Sequence, residues 1–168
     1  MASAPRISLE EYLRSRYEPE CELIGGELFQ KPTGTREHMR MERRLADLLA
    51  RDERAGLGEV IHELSVLHGE ELRIPDVVFA RPGAQFQNGI LIDAPVLCVE
   101  MLSPSQRPSE LFAKCEVYHT WGVPYCWIID PAKKLAWEYH QDAPVQLIPP
   151  SASLTAGEIT VTCNELFG

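Results

Sequence analysis

Apolar residues recur at two different spacings along this chain, and together the spacings predict a mixture of helices and strands. Apolar residues three or four positions apart predict amphipathic helices over residues 35–56 and residues 109–122. Each of these segments closes on a glycine, a residue that commonly ends a helix. Ser8 and Glu11 have the spacing of a capping box, which predicts a shorter helix over residues 8–16.

Shorter apolar runs predict strands between and after these helices. A Gly-Gly pair between two short apolar stretches predicts a β-hairpin over residues 22–29. Alternation over residues 59–68 predicts a half-buried strand, and residues 81–94 form a longer connection. The other runs that predict strands are residues 72–80, 95–102, 125–130, 135–139, 145–148 and 158–162. The predicted order is therefore hairpin, helix, three strands, helix and further strands.

Two of these apolar runs contain a carboxylate. Asp76 lies in the run 72–80, and Glu100 lies in the run 95–102. A carboxylate inside an apolar strand is costly to bury unless it is paired or holds a cation. Two of them on successive strands therefore indicate a divalent-metal site.

Composition indicates one domain over residues 1–168. The chain is 45% hydrophobic, which is enough for one substantial core, and no linker-like stretch divides it. The opening residues lack the apolar run of a signal peptide, and no stretch approaches the roughly 20 apolar residues of a membrane span. A cytoplasmic protein without a membrane partner is therefore expected. The five cysteines are scattered, which argues against a disulfide framework and a structural zinc site.

The charge balance is acidic, but the basic residues are not evenly spread. Lys and Arg number 16 against 25 Asp and Glu, a formal net charge of −9 that repels nucleic acid on average. Six arginines nevertheless occupy the outer side of the helix predicted over residues 35–56: Arg36, Arg40, Arg43, Arg44, Arg51 and Arg54. Two interpretations stay open, a simply solvated face or a cationic strip that contacts nucleic-acid phosphates through Arg36, Arg40, Arg43 and Arg44.

Beyond these patterns, the chain resembles the PD-(D/E)XK nuclease superfamily. Within it, the chain is similar to the Uma-type family of small bacterial proteins described as putative endonucleases. The resemblance spans about residues 8–167. The motifs that carry it are the hairpin 22–27, His38, Pro75-Asp76, the run 99–105, Lys114 with Tyr118, the run 122–131, and the tail segments 154–158 and 166–167.

The resemblance implies an α/β fold with a restriction-endonuclease-like αβββαβ core. A mixed central sheet flanked by helices is expected, with an added N-terminal helix and hairpin and added C-terminal strands. The implied activity is metal-dependent hydrolysis of phosphodiester bonds in nucleic acid, with DNA as the expected substrate. Mg²⁺ or Mn²⁺ is the expected cofactor, held by Asp76, Glu100 and the main-chain carbonyl of Met101, because hard cations prefer oxygen ligands.

The sequence departs from the superfamily pattern at one position. The usual lysine lies two residues after the second carboxylate, where this chain has Leu102. Lys114 is the expected substitute, because its spacing from Leu111 and Tyr118 places it on the apolar face of its helix. The alternative is a lysine whose stem packs on that face while its ammonium group reaches the surface.

Two further positions are candidates for the site. His38 begins the apolar face of its helix, and it is either a structural core residue or a contact to metal or phosphate. Glu22 and Glu27 both lie in the predicted hairpin. Spacing alone favours solvated residues that flank a turn, whereas the resemblance implies that one of the two reaches the metal, and Glu27 is the preferred candidate.

Two other functional classes and one assembly state complete the expectations. Leu102 in place of the usual lysine, together with the net charge of −9, leaves open a nuclease-fold module that binds or scaffolds nucleic acid without cutting it. A protein that binds a small ligand or nucleotide is the third possibility. Apolar residues in the last strands predict an exposed edge that pairs two copies into a homodimer: Val145, Leu147, Ile148, Ile159 and Val161.

Overall fold

The structure, a computed structural model, describes residues 6–168. The opening residues 1–5, on which part of the signal-peptide expectation depends, lie outside the described residues. No helix within residues 6–168 is both long and apolar enough to cross a membrane. The helices are α1 (Leu9–Arg14), α2 (Arg36–Arg54), α3 (Pro108–Thr120) and α4 (Cys163–Phe167).

The helices begin where short polar side chains satisfy free backbone N–H groups. The hydroxyl of Ser8 accepts a hydrogen bond from the Glu11 N–H at 3.1 Å, and Thr35 does the same for the His38 N–H at 3.2 Å. Helix α3 begins one residue earlier than the predicted Ser109, and the Glu110 carboxylate accepts the N–H of its N-cap residue. The three predicted helices are confirmed, whereas α4 was not predicted.

Within residues 6–168 the strands form two six-stranded sheets and one two-stranded hairpin. In chain order they are β1 (Cys21–Ile24), β2 (Glu27–Gln30), β3 (Glu59–His62), β4 (Val66–His68), β5 (Glu71–Arg73), β6 (Val77–Ala80), β7 (Phe86–Gln87), β8 (Ile90–Leu91), β9 (Leu97–Met101), β10 (Tyr125–Asp130), β11 (Leu135–His140), β12 (Gln146–Leu147), β13 (Ser153–Ala156) and β14 (Ile159–Thr162).

The central sheet has the strand order β12-β11-β10-β9-β6-β3 and is mixed. Strands β9 and β10 run parallel, with α3 as their crossover, and the other pairs are antiparallel. Helix α2 packs on one face through Leu45 and Leu49, and α3 packs on the other through Leu111 and Tyr118. The elements α2, β3, β6, β9, α3 and β10 therefore form the predicted αβββαβ core.

The other six-stranded sheet is called the smaller sheet here because its strands are only two to four residues long. It has the order β2-β1-β5-β4-β8-β7 and supplies one wall of the site. Its β1–β2 hairpin turns at Gly25 and Gly26, whose φ angles of +58° and +80° explain why glycine occupies both positions. This hairpin confirms the one predicted over residues 22–29. Leu23 and Leu72 are buried within this sheet and hold the hairpin in place.

Two predicted strands each divide between the two sheets. Residues 59–68 form β3 in the central sheet and β4 in the smaller one, with Glu63 between them at φ +43°. Residues 72–80 likewise divide into β5 and β6, because Pro75 has no N–H to continue a ladder and the Ile74 N–H donates to the Glu22 carboxylate at 2.8 Å. Asp76 therefore lies just before β6 and not inside a strand.

The C-terminal hairpin and α4 cover the α2 face of the central sheet. Ile159 and Val161 are 3% and 0% exposed, so the expectation that they form an exposed edge is wrong. Leu147 on β12 is 55% exposed and does lie at the edge of the central sheet. The prediction of an exposed edge failed for β14 because Ile159 and Val161 pack against the buried core.

Candidate active site

Three carboxylates meet where the two sheets adjoin. Glu22 is on β1, Asp76 precedes β6, and Glu100 is on β9. They are only 6%, 5% and 3% exposed. Burying three acidic side chains so close together is costly unless cations or hydrogen-bond donors compensate. Two lysines do so, and each defines a separate group of contacts.

The inner cluster consists of Glu22, Glu100, Lys114 and Tyr118. The Lys114 Nζ lies 2.9 Å from Glu22 Oε1 and 2.9 Å from Glu100 Oε1. The Tyr118 hydroxyl donates to Glu100 Oε1 at 2.6 Å. Lys114 and Tyr118 are four residues apart on α3, so they lie on the same face of the helix. The structure therefore places the Lys114 ammonium group beside Glu100 and not at the surface.

The outer cluster consists of Lys31, His38, Glu63 and Asp76. The Lys31 Nζ lies 3.2 Å from Asp76 Oδ1 and 3.8 Å from Glu63 Oε1, and His38 Nε2 lies 3.5 Å from Asp76 Oδ1. The other oxygen of Asp76 accepts the Met101 N–H at 2.6 Å. This last bond joins the segment before β6 to the end of β9. The main chain of Met101 is thus held against Asp76.

Asp76 and Glu100 respond differently to burial. Burial alone would raise the pKa of Asp76, but the hydrogen bond from His38 and the charge of Lys31 outweigh it and lower that pKa to about 2. Burial raises the pKa of Glu100, because the opposing charge of Lys114 is offset in part by the nearby Asp76 and Glu22. Asp76 is therefore stabilised as an anion, whereas the anionic form of Glu100 is destabilised.

The three cationic side chains share one behaviour. Burial by itself would lower the pKa of Lys31, Lys114 and His38, but the neighbouring carboxylates outweigh burial and raise all three. Asp76 is the main partner of Lys31 and His38, and Glu100 is the main partner of Lys114. Both lysines are therefore held as cations at neutral pH.

A cavity of about 390 Å³ opens against the outer cluster. Its lining includes Lys31, His38, Arg43, Glu63 and Asp76. The first turn of α2, from which the His38 side chain extends, forms part of the same wall. A molecule that enters this cavity meets Asp76 directly. Lys31 and Arg43 are the permanent cations of the lining, and Glu42 and Glu63 are its further carboxylates.

The donor set fits a hard divalent cation. Among residues 6–168, no three His, Cys, Asp or Glu side chains are arranged to enclose a metal ion by themselves. Mg²⁺ usually takes one or two carboxylates and completes its shell with water and substrate oxygens. Asp76 and Glu100, with the adjacent Met101 main chain, are oxygen donors of the type that such a partial shell would use. A dication would stabilise the charged form of Glu100, which burial disfavours.

The structure separates the two hairpin glutamates. Glu22 joins the inner cluster, whereas Glu27 is exposed at the other end of the hairpin. The structure therefore places Glu22, and not the preferred Glu27, in the inner cluster. Lys31, whose partner Asp76 lies 45 residues further along the chain, was not predicted as a site residue, and Tyr118 was not predicted as a hydrogen-bond donor to Glu100. The only sequence signal for Tyr118 was its spacing from Lys114.

The arginine strip on α2 divides into residues with different surroundings. Arg44 donates to the carbonyl oxygens of Glu165 at 2.7 Å and Gly168 at 2.8 Å, so it ties α2 to the C-terminal segment. Arg43 reaches the cavity beside the outer cluster, and Arg40 and Arg43 border a second groove on α2. Arg36 is exposed. Arg43 is thus the arginine of the strip that lines the cavity.

Comparisons with known proteins agree on a family and a fold. The Uma2 family model, described as "Putative restriction endonuclease", matches residues 9–163. A crystal structure of a putative nuclease belonging to DUF820 from Anabaena variabilis ATCC 29413 is 22% identical, with a TM-score of 0.83. The match covers 96% of this chain and 97% of that one. No curated protein matches the chain. The predicted resemblance and the predicted fold class are both confirmed.

Proposed function

We propose that this chain, which belongs to the Uma2 family of putative restriction endonucleases, is a divalent-metal-dependent endonuclease that hydrolyses phosphodiester bonds of DNA. The observation that carries the proposal is the pair of buried carboxylates, Asp76 and Glu100, each in contact with its own lysine. Such an arrangement is costly for a protein to maintain without a functional use. Family membership supports the nuclease class, whereas the metal and the DNA substrate are part of the proposal.

Asp76, Glu100 and the main-chain carbonyl of Met101 would hold the metal. A bound Mg²⁺ or Mn²⁺ supplies a Lewis acid for the phosphate and lowers the pKa of a coordinated water. The protein side chains prepare this position in advance. Asp76 is kept ionised by His38 and Lys31, and Glu100 is oriented by the Tyr118 hydroxyl.

Lys114 is proposed as the lysine of the reaction. Its ammonium group lies beside Glu100, where a fixed positive charge offsets the negative charge that develops on the phosphate during attack by water. Leu102, which occupies the usual position, is instead packed in the apolar cluster beneath α3. A helix residue thereby supplies the charge that the strand lacks.

DNA is proposed as the substrate because the cationic groups near the cavity converge on one face. Arg43 lines the cavity, and Arg40 continues the strip along α2 beside it. Phosphate contacts supply most of the sequence-independent affinity of DNA-binding proteins. A local cationic strip can therefore engage DNA despite the net charge of −9.

A plasmid-nicking assay in Mg²⁺ or Mn²⁺ tests the proposal. Wild-type protein should nick supercoiled plasmid only when a divalent ion is present, and Glu100→Gln should abolish nicking. Glu158→Gln removes an equivalent charge from an exposed turn and should nick normally. Persistent cleavage by Glu100→Gln would point to a contaminating nuclease. DNA binding without cleavage in any divalent ion would favour the non-catalytic nuclease-fold module.

A homodimer is proposed as the assembly state. Leu147 is exposed on β12, the outer strand of the central sheet, and exposed strand edges pair readily with a second copy. Light scattering at micromolar concentration should give twice the mass of one chain. A single-chain mass under those conditions would contradict the dimer while leaving the nuclease proposal intact.

A further inference from the structure

In the proposed reaction Lys31 serves only to keep Asp76 ionised. It follows β2 directly, and its side chain is 11% exposed, so most of its stem is buried. Its ammonium group nevertheless reaches the cavity beside Asp76. Lys31 is therefore a buried lysine whose charged end faces the space that a substrate would enter.

The two lysines of the site are held with different strength. Lys114 contacts Glu22 and Glu100 at 2.9 Å each, and both carboxylate side chains are under 10% exposed. Lys31 has one contact of that kind, with Asp76, whereas its second partner Glu63 lies 3.8 Å away and is 56% exposed. The contact between Lys31 and Glu63 is beyond hydrogen-bond length and open to water. It is the one easily replaced contact among the four.

Glu63 lies beside Lys31 in an unusual backbone conformation. Glu63 has φ +43°, the left-handed region that residues other than glycine rarely adopt, at the junction between β3 and β4. Its N–H donates to the main-chain oxygen of Asp76 at 3.0 Å. This bond fixes Glu63 beside the segment that carries Asp76. Unusual backbone conformations of this kind often occur at functional sites.

We propose that Lys31 is a phosphate-contacting residue of the substrate site and that Glu63 is its counter-ion when no substrate is bound. A DNA phosphate that enters the cavity would replace the Glu63 carboxylate on the Lys31 ammonium group. This inference rests on the proposed nuclease function, because it names how that same site holds its substrate.

Two cationic side chains of the cavity can contact a phosphate. An ammonium group has three donors, and Lys31 directs one toward Asp76, which leaves donors for a phosphate oxygen. Arg43 adds a second cation on the same wall. The lining contains two further acids: Asp76, which is held by His38 and the Met101 N–H, and Glu42, which is already engaged by His62 at 2.9 Å. Glu63 is therefore the carboxylate that an incoming anion would displace.

Binding of a fluorescein-labelled 12-base-pair DNA duplex, followed by anisotropy in Ca²⁺ at several salt concentrations, tests the inference without cleavage. Lys31→Ala should weaken binding by about 10-fold, the usual scale for loss of one charge-assisted hydrogen bond. The slope of log affinity against log salt should fall by about 0.9, as for one lost phosphate contact. Lys133→Ala removes the same charge from an exposed site and is the matched control.

Glu63→Gln provides the second variant, because Lys31→Ala also leaves Asp76 without its lysine and could unfold the protein. Glu63 is exposed, so this change should leave the melting temperature nearly unaltered and should tighten DNA binding severalfold. Glu158→Gln controls for the general loss of one negative charge.

The outcomes separate the inference from the function on which it rests. Weaker binding by Lys31→Ala and tighter binding by Glu63→Gln, each beyond its control, support the inference. Wild-type cleavage combined with binding by Glu63→Gln equal to Glu158→Gln overturns it and leaves the nuclease proposal standing. Absence of both binding and cleavage in the wild type overturns the nuclease proposal and this inference with it.

Discussion

The inner and outer clusters solve the same electrostatic problem in different ways. In each, a lysine lies between two carboxylates, but Lys114 is enclosed by buried partners whereas Lys31 faces an open cavity. A charge held by two short, buried contacts loses freedom of movement. The enclosed lysine is therefore suited to holding fixed geometry, and the open one is suited to exchanging partners with a substrate.

The carboxylates differ in the same direction as the lysines. Asp76 in the outer cluster has a pKa lowered to about 2, whereas burial raises the pKa of Glu100 in the inner cluster. The charged form of Asp76 is therefore favoured, whereas the charged form of Glu100 is disfavoured and would be stabilised by the proposed dication. Both side chains are buried, yet their pKa values shift in opposite directions, because their charged and hydrogen-bonding neighbours differ.

The strongest test of the comparison removes the enclosed lysine. Lys114→Ala should lower the cleavage rate by about 10²-fold or more, the scale of losing one charge partner of the transition state. It should also lower the free energy of unfolding by roughly 3–5 kcal/mol, because Glu22 and Glu100 are left buried without their cation. Nicking rates and urea denaturation measure the two effects, with Lys133→Ala as the control.

Two further variants test whether the Lys114 ammonium group itself supplies the charge. Lys114→Arg should restore little activity, since a broad guanidinium cannot replace a compact ammonium group between two carboxylates. Leu102→Lys added to Lys114→Ala should restore part of the rate, because Leu102 occupies the position that usually carries the lysine. Cleavage by Lys114→Ala at the wild-type rate, with Glu100→Ala inactive, would show that the metal activates the water without this lysine.

Metal binding should stabilise the charged form of Glu100 and thereby the folded protein. Mn²⁺ at about 100 times its dissociation constant should stabilise the wild type by about 2.7 kcal/mol, which corresponds to a rise of roughly 5–10 °C in melting temperature. Asp76→Ala should show no such rise, and Glu158→Gln should behave as the wild type does. Equal stabilisation of wild type and Asp76→Ala would remove Asp76 from the metal site.

The pH dependence of stability should distinguish Asp76 from Glu100. The folded pKa of Asp76, about 2, lies below its ordinary 3.8, so its contribution to stability is complete above pH 3.8 and is lost as the pH falls through 2. The contribution of Glu100 has the opposite sign, because its raised pKa makes it most favourable below pH 4.5. Asp76→Asn should remove about 2 kcal/mol of the loss between pH 4 and pH 2.

Urea denaturation at several pH values checks this expectation. Asp47→Asn changes an exposed aspartate on α2 and should leave the acid limb of the stability curve as it is in the wild type. An acid limb that is equally steep in Asp76→Asn would show that other carboxylates, and not Asp76, dominate stability at low pH.

The smallest expected effects separate two neighbouring arginines. Arg43→Ala should reduce the salt dependence of DNA binding by about 0.9 in slope without changing stability, because Arg43 lines the outer cavity. Arg44→Ala should instead lower the free energy of unfolding by about 1 kcal/mol, since Arg44 donates to the Glu165 and Gly168 carbonyls. Equal effects of both changes on DNA binding would mean that the arginine strip acts as one surface.

Much of the fold could be predicted because its signals are local. The Gly-Gly turn predicted the β1–β2 hairpin, the spacing of apolar residues predicted α2 and α3, and the apolar runs predicted β9 and β10. The long alternating run over residues 59–68 was misleading, because nothing in the alternation reports that Glu63 sends the chain from one sheet to the other. Alternation reports burial on one side, and both sheets provide it.

The same division applies to the candidate site. A carboxylate in an apolar run and a lysine on an apolar helix face are conspicuous in sequence, so Asp76, Glu100 and Lys114 were predicted. Glu22 was not preferred over Glu27 and Lys31 was not singled out, because the charged partner of Glu22 is the distant Lys114 and that of Lys31 is Asp76, 45 residues further along the chain. Which charges meet across such separations depends on how the two sheets adjoin, and only the tertiary structure decides that.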